Sequence, residues 1–486
     1  MIGLGLILTN QATAQTFTPL YSFTNSPDGA YPEGNLVLSG NTLYGTTSQG
    51  GTNYINELGS GTVFAINTDG SYYKTLHTFG STNYDGAGSE NGLLLSGNTL
   101  YGTAKGGGVN GNGTVFSLNT SGSNYITLHN FSPTTLSNAG HYTNSDGSAP
   151  QESGLILSGN TLYGTAEVGG TNGSGTVFSL SINGSNYVTL HNFSPFGYGA
   201  ANQTTNSDGA DPESTLLLSG NTLYGTTVVG GTNGNGTVFA MSTGGSNFMI
   251  LHTFGAWGLN TNLNSNTNND GVAPQGAGLI LSGNTLYGTT SEGGPAALGV
   301  GAGGTVFSLS TNGSNFTVLH AFSGDTNGGY PLCGLILSGN TLFGTSAGGG
   351  KYGYGTVFSL STNGTNFTVL HPFTAGNDGA RPQGLMLSGN TLYGTGDIGG
   401  TDDFGTVFSL TVVLPVIPPQ LTIAPSGTNV ILAWPTNAAG FTLESTTNLV
   451  SPAIWITNAP PPVVVGTNNA VTNGISGTRK FYRLSQ

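Results

Sequence analysis

The chain has 486 residues, of which only 6% are charged, with 84 glycines and a formal net charge of −13. So few bases exclude a nucleic-acid partner, because phosphate binding rests on clustered Lys and Arg, and the single cysteine, Cys333, excludes an intrachain disulfide and a thiolate metal site. Leu, Val, Phe and Tyr recur at fixed offsets without a Gly-X-Y period, which excludes disorder and collagen.

The first 14 residues combine an apolar run with Ala12-Thr-Ala14, the core and small-residue cleavage pattern of a secretory signal, without its basic start. No later segment approaches the ~20 apolar residues that span a membrane, so the expectation is an exported protein, extracellular or at the cell surface. Leu20-Tyr-Ser-Phe23 follows as a lone strand. Then Ser39-Gly-Asn-Thr-Leu-Tyr-Gly-Thr46 opens a series of seven copies, the others beginning at Ser96, Ser158, Ser219, Ser282, Ser338 and Ser388, with Phe343 replacing Tyr in the sixth. Intervals of 50 to 63 residues imply stacked supersecondary units, none able to bury its apolar face alone.

The third unit illustrates the fold of each. Leu155-Ile-Leu157 is a short strand, Gly159-Asn160 a tight turn, and Thr161–Thr165 a second strand. After a Gly-rich loop come Gly175–Leu180 and, beyond the turn at Asn183-Gly184, Asn186–Phe193. These four antiparallel strands are rich in β-branched and aromatic residues. Gly-Thr-Val-Phe also recurs seven times, but the fourth-strand core Leu-His-x-Phe only six, ending at Leu370. The strand missing from the seventh unit is supplied by Leu20–Phe23 at the other end of the chain. The expected fold is therefore all-β: a seven-bladed β-propeller over residues 15–412, closed by an N-terminal strand in its last blade. A Pro-rich linker, 413–419, leads to residues 420–486. There, runs at Gln420–Ile423, Asn429–Trp434, Phe441–Ser445, Ile454–Thr457 and Lys480–Leu484 suggest a small immunoglobulin- or fibronectin-like sandwich cored by Trp434 and Trp455.

The unit Leu-x-Leu-Ser-Gly-Asn-Thr-Leu-Tyr-Gly-Thr, Gly-Gly, Gly-Thr-Val-Phe-x-Leu, Leu-His-x-Phe, Asp-Gly-x-x-Pro closely resembles the GloVer ("choice-of-anchor") tandem-repeat family of secreted bacterial proteins, over about residues 18–412. The stretch Phe441–Leu449, with Trp455 and Phe481-Tyr-Arg-Leu484, resembles a terminal module common on exported proteins. The resemblance implies export and repeat architecture, and brings no activity with it.

Short turns join strands one to two and three to four on one face, so a site is expected on the opposite face, among the long loops or at the channel mouth. A ring of Asp28, Asp85, Asp146, Asp208, Asp270 and Asp378, with Asn327 in the remaining unit, offers oxygens for a cation such as Ca²⁺. The alternative, favoured by its repetition, is that each Asp caps a turn within its own unit. A second ring holds Glu33, Glu90, Gln151, Glu213, Gln275 and Gln383, with Leu332 the exception. The six repeated histidines, His77 to His371, cannot converge on one metal and are expected to make structural hydrogen bonds; a small buried thiol is expected of Cys333.

Symmetry breaks at three consecutive insertions of 14 or 15 residues, Ser132–Ser145, Ser194–Ser207 and Gly255–Asn269, where other units have four or five. They carry His141, Tyr142, Phe196, Tyr198 and Trp257 among Asn, Ser and Thr, a composition suited to stacking on sugar rings. The leading expectation is a monomeric, non-catalytic binding or adhesion protein whose partner is an extracellular glycan or surface protein. A polysaccharide hydrolase or lyase is the alternative, with Asp211 and Glu213 the least symmetric carboxylates and His141, Tyr142 and Lys105 the candidate lyase groups. A structural surface-layer component is the third.

Overall fold

The structure, a computed structural model, describes residues 15–485 except 53–58, 81–83, 138–139, 152–153, 199–203, 257, 261–264, 277, 296–302, 414–420, 436–441, 449–453, 458–460, 466–467 and 475–479. The expected signal segment, 1–14, and nearly all of the expected linker, 414–419, lie outside the described residues. The chain divides into two compact units, Met1–Val413 and Leu414–Gln486. Among the described residues no helix is long and apolar enough to cross a membrane.

The first unit has a β-propeller-like repeat architecture, in which seven four-stranded antiparallel sheets carry the repeats among the described residues. Sheet one runs Val37–Ser39, Thr42–Thr47, Thr62–Asn67 and Lys74–Thr78, in that order. Sheets two to six repeat this pattern along the chain. Sheet seven takes Ala380–Ser388, Thr391–Ile398 and Thr406–Thr411, and completes itself with Phe17–Ser22, which pairs antiparallel to Thr406–Thr411.

The glycine inside the octapeptide is set by packing. Gly45 faces Phe64 across the second and third strands. A Cβ on it would sit 2.5 Å from Phe64 Cζ and 2.8 Å from Leu36 Cδ2. The same Phe and Leu crowd Gly102, Gly164, Gly225, Gly288, Gly344 and Gly394, so Gly-Thr-Val-Phe and Leu-Tyr-Gly-Thr are two halves of one contact. The apolar core lies between successive sheets. Tyr44, Val63 and Phe79 of sheet one pack with Leu93, Leu100 and Phe116 of sheet two. Phe23 and Val407 of sheet seven pack with Leu36, Leu43 and Phe64 of sheet one. Each fully buried Phe contributes roughly 1.5–3 kcal/mol relative to exposure.

An aromatic stack accompanies each of these junctions. His77 lies flat on Tyr125 of the next sheet at 3.9 Å between ring centroids, His129 on Tyr187 at 3.9 Å, and His191 on Phe248 at 3.9 Å. His252 on Phe316, His320 on Phe367 and His371 on Phe17 continue the series at 3.9, 3.8 and 3.8 Å. Tyr21, at the position that histidine holds in other sheets, stacks on Tyr73 of sheet one at 4.0 Å. The chain of contacts thus returns to its start.

The second unit has a sheet ordered Thr422–Ser426, Asn429–Pro435, Asn468–Gly474, Val463–Val465, and another ordered Ile456–Thr457, Thr442–Thr446, Phe481–Ser485. Leu432, Trp434 and Val471 of the first share a core with Leu443 of the second. Trp434 is core, as expected. Trp455 is not in that cluster: the Arg483 guanidinium lies 4.3 Å above its ring and is held by Glu444 at 2.8 Å. The strands Val463–Val465 and Asn468–Gly474 were not among the expected runs.

Candidate functional site

Each insertion folds as a small two-stranded ribbon, not as an irregular loop. Thr135–Leu136 pairs with Tyr142–Thr143, Gly197–Tyr198 with Thr204–Thr205, and Gly258–Asn260 with Ser265–Thr267. An Asn locks the base of each. Asn144 donates to the carbonyls of Ser132 and Gly147 and accepts from the amides of Gly147 and Gly170, all at 2.6–3.0 Å. Asn206 repeats the pattern with Ser194, Gly209 and Gly231, and Asn268 with Gly255, Gly271 and Gly294. Each Asn thus satisfies four backbone groups that a protruding segment would otherwise leave unpaired.

The first two insertions touch. The His141 ring meets Phe196 edge-on at 4.5 Å between centroids. His141 also lies over Gly173 of the Gly-rich loop in unit three, where a Cβ on that glycine would come within 2.6 Å of its own Cβ. Beside this contact Tyr142 is 61% exposed and Leu136 63% exposed. Tyr198 lies on a ribbon strand, its side chain outside the described set, and Trp257 lies outside the described residues. Apart from His141 the three insertions contain no ionisable side chain other than the tyrosines, so the surface they build is aromatic, amide and hydroxyl in character.

The Asp ring joins neighbouring units. Contrary to the expectation that each Asp caps a turn within its own unit, Asp146 accepts from the Ser132 amide and lies 3.0 Å from His129 Nε2, both at the end of the preceding sheet. Asp208 with His191, Asp270 with His252, Asp378 with His371 and Asp85 with His77 repeat the pair at 3.0, 3.0, 3.2 and 3.3 Å. Asp28 meets Tyr21 instead, whose hydroxyl donates at 2.8 Å. Burial pushes the Asp208 carboxyl up, but the hydrogen bonds from His191 and Ser194 outweigh it and hold it below its usual range. In the sixth unit Asn327 replaces the carboxylate, and burial takes His320 down to about 4. The carboxylates of the ring sit in the connections that open separate repeat units, each engaged with its own partners. Among the described residues no group of three or more His, Cys, Asp or Glu is disposed to hold a metal.

A cavity of about 200 Å³ is lined by residues from every one of the seven repeat units. Glu33, Glu90 and Gln383 of the second polar ring line it, as do Leu332, Cys333, Arg381 and Asp397. Glu213 is buried and is not among the lining residues. Cys333 is a small buried thiol, its Sγ 3.2 Å from Gln383 Oε1.

Around this cavity charge breaks the repeat at three positions, of which sequence reasoning singled out only Lys105. The residue that follows the small residue near the end of the second strand is Ser48, Val228, Ser291 or Ala347 in four units, but Lys105, Glu167 and Asp397 in the others. Lys105 Nζ lies 3.4 Å from Glu90, and Arg381 lies 3.3 Å from Asp397. Burial raises the Glu90 and Asp397 carboxyls despite these bases. Asp211, held at a φ of 54° just before Pro212, is pushed up to about 7, first by burial and then by the facing Glu167. A charge at an otherwise small repeat position was the available signal.

The model of the Gloeobacter/Verrucomicrobia repeat matches residues 2–194, 133–262 and 256–417. Among curated proteins none matches the chain. Solved structures similar to it include a nidogen/laminin complex, at 12% identity and a TM-score of 0.36 over 64% of this chain and 91% of that one. Another is TolB from Acinetobacter baumannii, at 12% identity and a TM-score of 0.34 over 63% of this chain and 58% of that one. Likenesses this distant carry no argument about function.

Proposed function

The chain belongs to the Gloeobacter/Verrucomicrobia repeat family, and on that repeat architecture we propose an exported, non-catalytic binding protein. Its first unit is a seven-bladed propeller closed by the N-terminal strand, followed by a small immunoglobulin-like sandwich. Three neighbouring insertions on one face recognise carbohydrate. The observation that carries this reading is the contact of His141 with Phe196, which joins two insertions into one surface beside the exposed Tyr142. That surface has few charges, exposed rings and many amides and hydroxyls, and each ribbon rests on an Asn lock that limits the ordering cost of binding. The direct test is retention of the purified chain on a panel of insoluble polysaccharides. Tyr142→Ala and Phe196→Ala are expected to weaken retention about tenfold, some 1.4 kcal/mol, with an unchanged melting temperature. Retention untouched by both substitutions would refute the insertion site.

One observation favours a second reading, a polysaccharide-active enzyme. A carboxyl raised to about 7, as Asp211 is beside Glu167, suits a general acid at neutral pH. Release of reducing ends or unsaturated products by the native chain, lost in Asp211→Asn, would establish it. Neither retention nor turnover across the panel would leave a structural surface-layer role.

A further inference from the structure

We propose a second carbohydrate-binding surface, built by Tyr330, Tyr352 and Tyr354 of the sixth repeat, which takes a neutral polysaccharide. It rests on the carbohydrate reading of the insertions for its ligand class only, since it shares no residue with them. Its place is the loop between Thr341–Ser346 and Thr356–Ser361, together with the connection that enters the sixth repeat. In the second, third and fourth repeats this loop carries Asn110, Asn172 and Asn233, whose side-chain amides donate to the carbonyls of Phe131, Phe193 and Phe254 at 2.8–2.9 Å. Two residues later Asn112 donates to the Ser132 carbonyl at 2.6 Å. The sixth repeat puts Tyr352 and Tyr354 at these two positions. It thereby gives up the amide ties that hold the loop and sets out two rings that are 48% and 43% exposed. A change made for packing would have buried them.

Tyr330 joins them from the connecting segment. It holds a φ of 57°, where a bulky residue is an outlier; the same position is Ala149 in the third repeat and Ala273 in the fifth. Its side chain is 46% exposed, so burial does not offset the backbone strain. The Tyr330 carbonyl accepts from the Ala347 amide at 2.9 Å, and a Cβ on Gly348 would lie 3.0 Å from Tyr330 Cδ2, so the ring rests over the start of the loop. Gly349, next in the chain, bridges to Tyr354. The three tyrosines thus form one patch. Each pairs an apolar face with a hydroxyl, which suits a pyranose ring and its own hydroxyls. Charge narrows the class. The Gly350 amide donates to the Asp325 carbonyl, which brings that acid beside the loop, and the seventh repeat has Asp402 and Asp403 in its matching loop. These carboxylates, in a chain of net charge −13, disfavour a polyanion. Lys351 Nζ stands 5.0 Å over the Tyr352 ring, where it steadies the ring and opposes a cationic chain.

Binding isotherms of the full chain on microcrystalline cellulose, chitin and insoluble mannan test this, with alginate gel as the acidic counterpart. At least one neutral polysaccharide is expected to retain the chain, and alginate to retain it about tenfold more weakly. Tyr352→Asn and Tyr354→Asn install the residues that the second and fourth repeats carry, so the fold has a use for them. Each is expected to weaken retention about tenfold, with the melting temperature unchanged or higher. Tyr352→Phe keeps the ring and is expected to stay within about threefold of the parent. Retention by none of the neutral polysaccharides, retention that neither Asn substitution weakens, a fall in melting temperature that tracks the loss, or equal retention on alginate would overturn the proposal. Tyr142→Ala reads the insertions separately. Retention lost in Tyr142→Ala but not in the two Asn variants refutes this surface alone, and the converse refutes the insertion site alone.

Discussion

His320 and Asn327 form a natural variant within the molecule. Elsewhere in the repeats the histidine of the fourth strand faces a carboxylate, as His371 faces Asp378; here it faces an amide at 3.5 Å. Burial drives both imidazoles down, but for His371 the Asp378 carboxylate opposes the fall. Asn327→Asp is therefore expected to raise the His320 pKa by about 1–2 units, as an opposite charge within ~4–6 Å does. The stability sign follows. A histidine whose folded pKa is depressed to about 4 binds its proton more readily in the unfolded chain, so stability is lost as pH falls from about 6.5 toward 4. Asn327→Asp should thus be more stable than the parent at pH 5, by about 1–2 kcal/mol, with the gain fading above pH 6.5. Proton NMR of the imidazole resonances and thermal melts at the two pH values check this. An unchanged His320 titration would sink the electrostatic account of the pair.

At the scale of elements, the repeat was readable because its residues make contacts with one another. Gly164 and Phe178 stand opposite in register, and a Cβ on Gly164 would lie 2.7 Å from Phe178 Cζ and 3.0 Å from Leu155 Cδ2. Gly164→Ala is expected to cost about 1–3 kcal/mol through overpacking. Phe178→Leu in the same chain should recover part of that loss by removing Cζ, a coupling read from a double-mutant cycle of melting temperatures. Strict additivity would contradict the contact. Elements that depend on few apolar residues were not readable. Asn468–Gly474 pairs with Asn429–Pro435, yet it offers only Ala470 and Val471 to the core in a run of poor strand formers. The insertion ribbons are two or three residues to a strand, too short for alternation to register. Their Asn locks were visible as Asn144, Asn206 and Asn268, each two residues before an Asp, but only geometry assigns the four hydrogen bonds. The Asp–His pairs escaped for a related reason: partners 7 to 18 residues apart, across loops of different length, share no fixed spacing.

At the scale of the whole first unit, stability in a repeat protein is a sum of unit terms and nearest-neighbour junctions. An open array leaves its two ends without one junction. Here Phe17 stacks on His371 of sheet six, while Tyr21 stacks on Tyr73 and Phe23, fully buried, packs on Phe64 of the first repeat unit, so one short strand contributes to both junctions of sheet seven, including the one that joins the ends. The Phe23 amide donates to the Gly405 carbonyl and the Tyr31 amide to the Phe404 carbonyl, which extends the same closure in hydrogen bonds. Deleting residues 15–23 should therefore do more than trim an edge. It exposes the edge of Thr406–Thr411 and removes the stacks that couple the first and last sheets, which are distant in sequence. Phe23→Ala alone is expected to cost about 3–5 kcal/mol, the range for truncating a buried Phe. The deletion should cost more and broaden the thermal transition, because the units then melt from two free ends. A peptide of residues 15–23 added in excess should sharpen the transition and raise its midpoint, as a ligand of the native state does. A deletion variant that melts as sharply and as high as the intact chain, with no response to the peptide, would mean that the junctions act independently and that closure adds nothing to the fold.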